Sequence, residues 1–213
     1  LGTTQLIITA LLQPNKLGLF LVNSSTYGLE IQELDGWSTG VSNVHLNHVT
    51  IPKSSLLGTE TSNGWVELFA AVERALPILC AYQIGSCEAV FNMTVEYANK
   101  RHQFGVPIGK FQRVQDHIIS QINYLDAATL STYEALWKLD EGKETAKSSV
   151  HLAKALTSEA HYQICNASHE VHAGLGIMRE YGLTLHTKLS RTLYHYFGDP
   201  KYHKTQLIRS LNL

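Results

Sequence analysis

VEYANKRHQFGVPIGKFQRVQDHI, residues 95–118, joins two strongly helical stretches through a gap far richer than a helix–helix connection requires. A few turn residues suffice for such a connection. This one places Arg101, Gln103, Phe104, two glycines and a proline between Lys100 and Gln112. Upstream, Trp65, Leu68, Phe69, Val72, Leu76, Leu79, Tyr82 and Gln83 recur at three–four spacing, and the pattern runs through Val90, Phe91, Val95 and Tyr97. That spacing predicts a helix over 63–100. Downstream, Val114, Ile118, Ile122, Leu125, Ala128 and Leu136 predict a second over 111–140. EGK at 141–143 is a turn, and a third helix over 145–171 carries an Ala-rich face of Ala153, Ala155, Ala160 and Ala167 that permits close packing. AGLG at 173–176 ends it. A last helical region over 183–211 is interrupted at GDP, 198–200, because glycine and proline both break helices. Four long helices with short connections predict an antiparallel four-helix bundle. Helices of this length would run about 45 Å, longer than a lone small bundle needs, so other subunits are expected to cover part of them.

Before residue 60 the period is different. QLIITALL (5–12), LGLFLV (17–22) and VSNVHLNHVTI (41–51) are rich in Val, Ile, Leu and Thr, and are separated by QPNK, SSTYG and DGWSTG. About four short strands are expected, ending where Pro52 blocks the ladder. The first has no visible partner upstream, as if the sheet were part of a larger one. The expectation is an α+β chain: a partial β domain over 1–60 and a four-helix bundle over 61–213.

The bulk numbers exclude several classes. The chain has 213 residues, 44% of them hydrophobic, with a formal charge of −1, so no field attracts nucleic acid. No apolar run approaches the roughly 18 residues that span a membrane. Cys80, Cys87 and Cys165 make an odd count with no disulfide spacing, which favours a reducing, cytoplasmic compartment and buried small side chains. Eleven histidines are scattered; His161, Cys165 and His169 are the nearest thing to a metal spacing, and no metal is expected.

R-x-x-F-G-x-P-I-x-x-F-Q between the first two helices, after a partial β domain, resembles the acyl-CoA dehydrogenase family. VHLNHVTIPKSSLLG (44–58), HEVHAGLGIMREYG (169–182) and LYHYFGDPKYHKTQLI (193–208) match as well, so the resemblance covers essentially the whole chain. Glu73-Arg74 followed by Gly85, with the ending FGDPKYHK, is most similar to the branch acting on bulky, steroid-type acyl-CoAs. Members carry an N-terminal helical domain and an earlier part of the β domain, so this chain corresponds to about the C-terminal half.

The resemblance implies α,β-dehydrogenation of an acyl-CoA thioester with FAD as cofactor. It assigns Arg101 to the flavin pyrophosphate, since a guanidinium meets phosphate oxygens bidentately, with Phe104 against the flavin or adenine. Gln103 and Gln112 join the same loop. In the family this loop meets the FAD of a neighbouring subunit, which implies a homo- or hetero-oligomer, a dimer or tetramer. Gly174 and Gly176 fall on the family's glycine turn, where Ala173 replaces a glycine and Glu170 a customary Gln. Glu180 also matches a family Glu, or is simply a charge at a helix N-terminus. The usual base position on the last helix holds Phe197, which cannot take a proton. Glu73 matches the alternative base on the first helix, although two residues out of the commonest spacing; an ion-paired helix carboxylate is the competing reading. Asp199 is expected to cap the next helix. A non-catalytic subunit or oligomerisation domain remains the alternative function.

Overall fold

The computed structural model describes residues 2–14, 16–35, 41–59 and 63–211. The chain divides into two compact units, Leu1–Val72 and Glu73–Leu213. In the first, β1 (Gln5–Gln13) pairs antiparallel with β2 (Lys16–Asn23), with Ile7 opposite Leu21 and Thr9 opposite Leu19. β3 (Leu29–Glu33) and β4 (Ser42–Leu46) form a separate two-stranded ladder, and β5 (Leu56–Leu57) closes the other edge of β2. Leu19 and Val22 of β2 are buried, whereas Ile7 and Leu11 of β1 stand exposed.

Two strand expectations are corrected here. The run 41–51 is a strand only as far as Leu46: His48 takes φ +50, a left-handed conformation that interrupts a regular ladder, and the apolar residues beyond it, Val49 and Ile51, are one residue out of phase with Val44 and Leu46. LEIQE at 29–33, which was not singled out, supplies the partner of that strand. The DGWSTG turn lies, from residue 36 on, outside the described residues.

The helices follow the three–four spacing closely. They are α1 (Gly64–Lys100), α2 (Gln112–Asp140), α3 (Ala146–His172), α4 (Leu183–His195) and α5 (Pro200–Ser210). The fourth member of the bundle is therefore two helices meeting at the GDP break. There Asp199 caps α5 by accepting a hydrogen bond from the Tyr202 N–H at 2.7 Å, and Pro200 occupies the first turn, where its missing N–H costs nothing. Pro77 lies inside α1, so the Glu73 carbonyl has no N–H four residues on to accept from.

Ile84, Cys87 and Val90 of α1, Leu125 and Ala128 of α2, Ala160, Ile164 and Cys165 of α3, and Leu183 of α4 make one buried cluster. Each large apolar side chain there is worth about 1.5–3 kcal/mol. Ala128 and Ala160 are fully buried, which lets the helix backbones approach. α3 is enclosed along most of its length, and its interior is polar as well as apolar: Ser149, His151, Lys154, Thr157, Ser158, His161, Ser168 and His172 are all buried. Hydrogen bonds satisfy most of this polarity. His161 Nε2 and His186 Nδ1 lie 2.8 and 2.7 Å from Ser86 Oγ, Thr94 Oγ1 lies 2.8 Å from Ser168 Oγ, and Lys154 Nζ donates to Ser158 Oγ and the Leu193 carbonyl. Such bonds contribute about 0.5–1.5 kcal/mol each, but a lost partner costs more.

Candidate functional site

The connection after α1 is a miniature hairpin. β6 (His102–Gln103) pairs with β7 (Val106–Pro107), and the Ile108 N–H donates to the Arg101 carbonyl at 2.8 Å. Phe104 and Gly105 form its tip with φ +53 and +79, two successive positive values as in a type I′ turn. Glycine accepts this freely; Phe104 does so under strain. Behind the tip, Gln115 Nε2 donates to the Gly109 carbonyl at 2.9 Å and fixes the turn that leads into α2.

The hairpin therefore has a tethered backbone and an outward-facing set of side chains. Arg101, Gln103 and Gln112 are exposed, and Phe104 is 93% exposed, with its edge against Phe111. The Arg101 guanidinium makes no hydrogen bond or ion pair among the described residues. A cation, an amide pair and an aromatic ring held this way can grip an anionic, planar group lying outside their own chain.

The glycine turn sits at the same end of the bundle. The His172 ring stacks on Tyr97 of α1 at 4.5 Å, donates from Nδ1 to the Ser168 carbonyl at 2.8 Å, and accepts from the Tyr181 hydroxyl at Nε2. Burial holds His172 below the usual histidine range. Beyond it, 173–177 turn in a 3-10 coil. Gly176 is required by packing: a Cβ there would meet His169 Nδ1 at 2.9 Å and Leu183 Cδ2 at 3.2 Å. Gly174 is exposed and a Cβ would meet nothing within 4 Å. Ala173 adopts φ +49 and ψ −129, a glycine conformation held by an alanine. Glu170 and Glu180 are exposed nearby.

Glu73 is not part of that cluster. It lies 28 residues before Arg101 on one helix, about 40 Å away at 1.5 Å per residue. Half-buried, it receives Lys147 Nζ at 2.8 Å, and His151 Nε2 stands 3.7 Å from the same oxygen. Behind it, His151 Nδ1 and His203 Nδ1 are 3.0 Å apart, and His203 Nε2 donates to the Phe197 carbonyl at 3.1 Å. Glu73 of α1 and the Phe197 carbonyl thus border one buried histidine pair from opposite sides. Phe197 itself turns with φ +56 and exposes its ring. Burial and the facing His151 and Lys154 hold His203 down to about 4, and burial lowers His151 too, against the opposing pull of Glu73.

The sequence reading did not single out His151, Lys154 or His203. For His151 and Lys154 the signal was weak but present: polar residues on an Ala-rich helix whose every face is needed for packing; for His203, on α5, there was none. His161, Cys165 and His169 do not converge. His161 bonds Ser86, His169 bonds Thr187, and among the described residues no three His, Cys, Asp or Glu side chains group to hold a metal. The three cysteines are free and buried, and burial lifts the Cys80 and Cys165 thiols to about 11. No helix among the described residues is long and apolar enough to cross a membrane.

Residues 63–212 match the family described as acyl-CoA dehydrogenase, C-terminal domain. The chain is 28% identical over 186 residues to a probable acyl-CoA dehydrogenase, YngJ, of Bacillus subtilis (strain 168), covering 83% of this chain and 48% of that protein. It is 31% identical over 170 residues to a benzylmalonyl-CoA dehydrogenase of Aromatoleum aromaticum, covering 78% and 45%. Among solved structures, PigA with FAD and proline superposes with a TM-score of 0.93 at 27% identity, over 100% of this chain and 57% of that one. The chain spans about half the length of these relatives.

Proposed function

The chain belongs to the acyl-CoA dehydrogenase family, of which it forms the C-terminal part, and from that premise we propose that the whole protein is an FAD-dependent acyl-CoA dehydrogenase that introduces an α,β double bond into a bulky acyl thioester. Residues 1–60 would belong to its β domain and 61–213 to its helical domain, in a cytoplasmic dimer or tetramer. The convergence of Glu73 and the Phe197 turn on the same histidine pair carries this reading. Glu73 of α1 stands 3.7 Å from His151, and His203, on the far side of that ring, contacts the carbonyl of Phe197, the position that the resemblance marks for the more usual base.

The exposed Arg101, Gln103, Phe104 and Gln112 fit a cofactor held outside their own bundle, because none of them is consumed by contacts that would have to break. The flavin, when bound, supplies the hydride acceptor. Arg101 would hold its pyrophosphate, Phe104 would lie against one of its rings, and Gln103 and Gln112 would offer amides, with bare backbone at Gly105 and Gly174; Gly176 would serve the turn from beneath, buried against His169 and Leu183. Glu73 takes the proton α to the thioester carbonyl. Since Glu73 and the hairpin of one chain are about 40 Å apart, a complete site draws the hairpin from a second subunit, identical or not.

The Glu73–Lys147 ion pair, the positive φ of Ala173 and the exposed Glu170 favour a second reading, a non-catalytic subunit or oligomerisation domain of such a complex. One experiment separates them. The purified protein should be yellow and bleach on adding an acyl-CoA, and Glu73→Gln should abolish bleaching without releasing FAD. Bleaching that survives the substitution removes Glu73 as the base; a colourless protein favours the second reading.

A further inference from the structure

We propose that His151 and His203 form a proton relay behind Glu73, in which His203 locks His151 in the tautomer whose free Nε2 faces the carboxylate. The catalytic use of the relay rests on Glu73 being the base; its geometry does not.

One carbonyl sets the tautomers. The Phe197 oxygen can only accept, so His203 must carry its proton on Nε2. In the neutral ring its Nδ1 is then an acceptor, and the 3.0 Å contact requires His151 to donate from Nδ1. That leaves His151 Nε2 without a proton. It is buried, has no hydrogen-bond partner, and stands 3.7 Å from Glu73 Oε1. Both rings are almost wholly enclosed, at 2% and 1% exposure, so water does not compete for that nitrogen. A buried acceptor left unsatisfied beside a carboxylate, which offers it no proton, costs stability. The arrangement makes sense once the carboxyl is protonated.

When Glu73 gains a proton, its O–H can reach His151 Nε2 with about 0.8 Å of side-chain motion to an ordinary hydrogen-bond length. The O–H bond breaks, an N–H bond forms on Nε2, and the products are a carboxylate and an imidazolium. Net charge is unchanged and no electrons move. Lys147, which holds Oε1 at 2.8 Å, keeps Glu73 in place and restores the carboxylate. The charged groups facing the pair are Glu73 of α1, Lys147 and Lys154 of α3, and Asp199 at the start of α5. His151 is thus a positioning residue that holds the proton until it returns through Glu73, not the base.

Long-range nitrogen–proton spectra of the purified full chain labelled with 15N-histidine test this. His151 should show a protonated Nδ1 and a bare Nε2 at neutral pH, and His203→Gln should release that tautomer. Glu73→Gln, an isosteric change at a half-buried position, should lower the His151 titration midpoint, because the carboxylate that favours the imidazolium is gone. A protonated Nε2 in the unaltered protein, or a midpoint that ignores Glu73→Gln, overturns the relay. Flavin bleaching in the same variant reports separately. A shifted midpoint with surviving bleaching overturns the base and with it the catalytic use of the relay; an unmoved midpoint with lost bleaching overturns the relay and keeps the base.

Discussion

Replacing Ala173 by glycine should make the protein more stable, an unusual direction for a substitution at a helix end. Ala173 closes α3 with φ +49 and ψ −129, and its N–H donates to the His169 carbonyl. An L-residue in such a region costs about 1–3 kcal/mol. Glycine removes that cost, keeps the N–H bond and loses only an exposed methyl. Against the gain stands the extra freedom of glycine in the unfolded chain, about 0.4–1 kcal/mol. The balance is about 1 kcal/mol in favour of Ala173→Gly, or about 2–4 °C in Tm for a chain of this size. Scanning calorimetry and urea unfolding followed by circular dichroism measure it, with Ala173→Ser as the control that retains the strained Cβ. An unchanged or lower Tm for glycine, or an equal rise for serine, refutes the strain argument.

Two further predictions use the bundle interior. Burial lowers Lys154 from 10.5 to about 8, so the folded chain sheds its proton before the unfolded one does. The penalty is complete below pH 8 and fades as pH rises towards 10.5. Between pH 8 and 10 this residue should add about 2 kcal/mol to the unfolding free energy, a rise seen in urea midpoints and absent in Lys154→Met. Gly176→Ala should cost about 1–3 kcal/mol through overpacking against His169 and Leu183. Gly174→Ala should leave unfolding unchanged and weaken only flavin retention; a stability loss at Gly174 would contradict the open space around it.

The helical half was legible because its apolar positions repeat in register over long stretches, and Gly and Pro mark its breaks. Its ends agree with the spacing to within a residue or two at Lys100, Asp140 and His172. The sheet was less so. Val49 and Ile51 resume the alternation one residue out of phase with Val44 and Leu46, and the slip falls where the left-handed His48 follows the end of the strand, so the sequence carried a sign of the break that the run of apolar residues masked. The site was half legible. Arg101, Gln103 and Phe104 stood out because nothing in a plain turn calls for them. His151, Lys154 and His203 did not, because a buried polar residue and a solvated one look alike until their partners, tens of residues away, are brought alongside. For Glu73 the sequence left two readings, base and ion-paired carboxylate, and the structure gives the carboxylate an ion partner, Lys147, beside a histidine.

Pro77 gives α1 two cooperative pieces where the residue pattern suggests one. With no N–H to offer the Glu73 carbonyl, the ladder of hydrogen bonds is missing a rung one turn beyond the candidate base. Fraying that begins at Gly64 can stop there, because opening the turns before Pro77 does not unzip those after it. Amide protons before the gap would then exchange through local opening, while those around Val90 wait for the whole bundle to unfold. The carboxylate would then sit at the seam between a segment that opens locally and one that opens only with the whole bundle, a difference that hydrogen exchange on either side of Pro77 would read out.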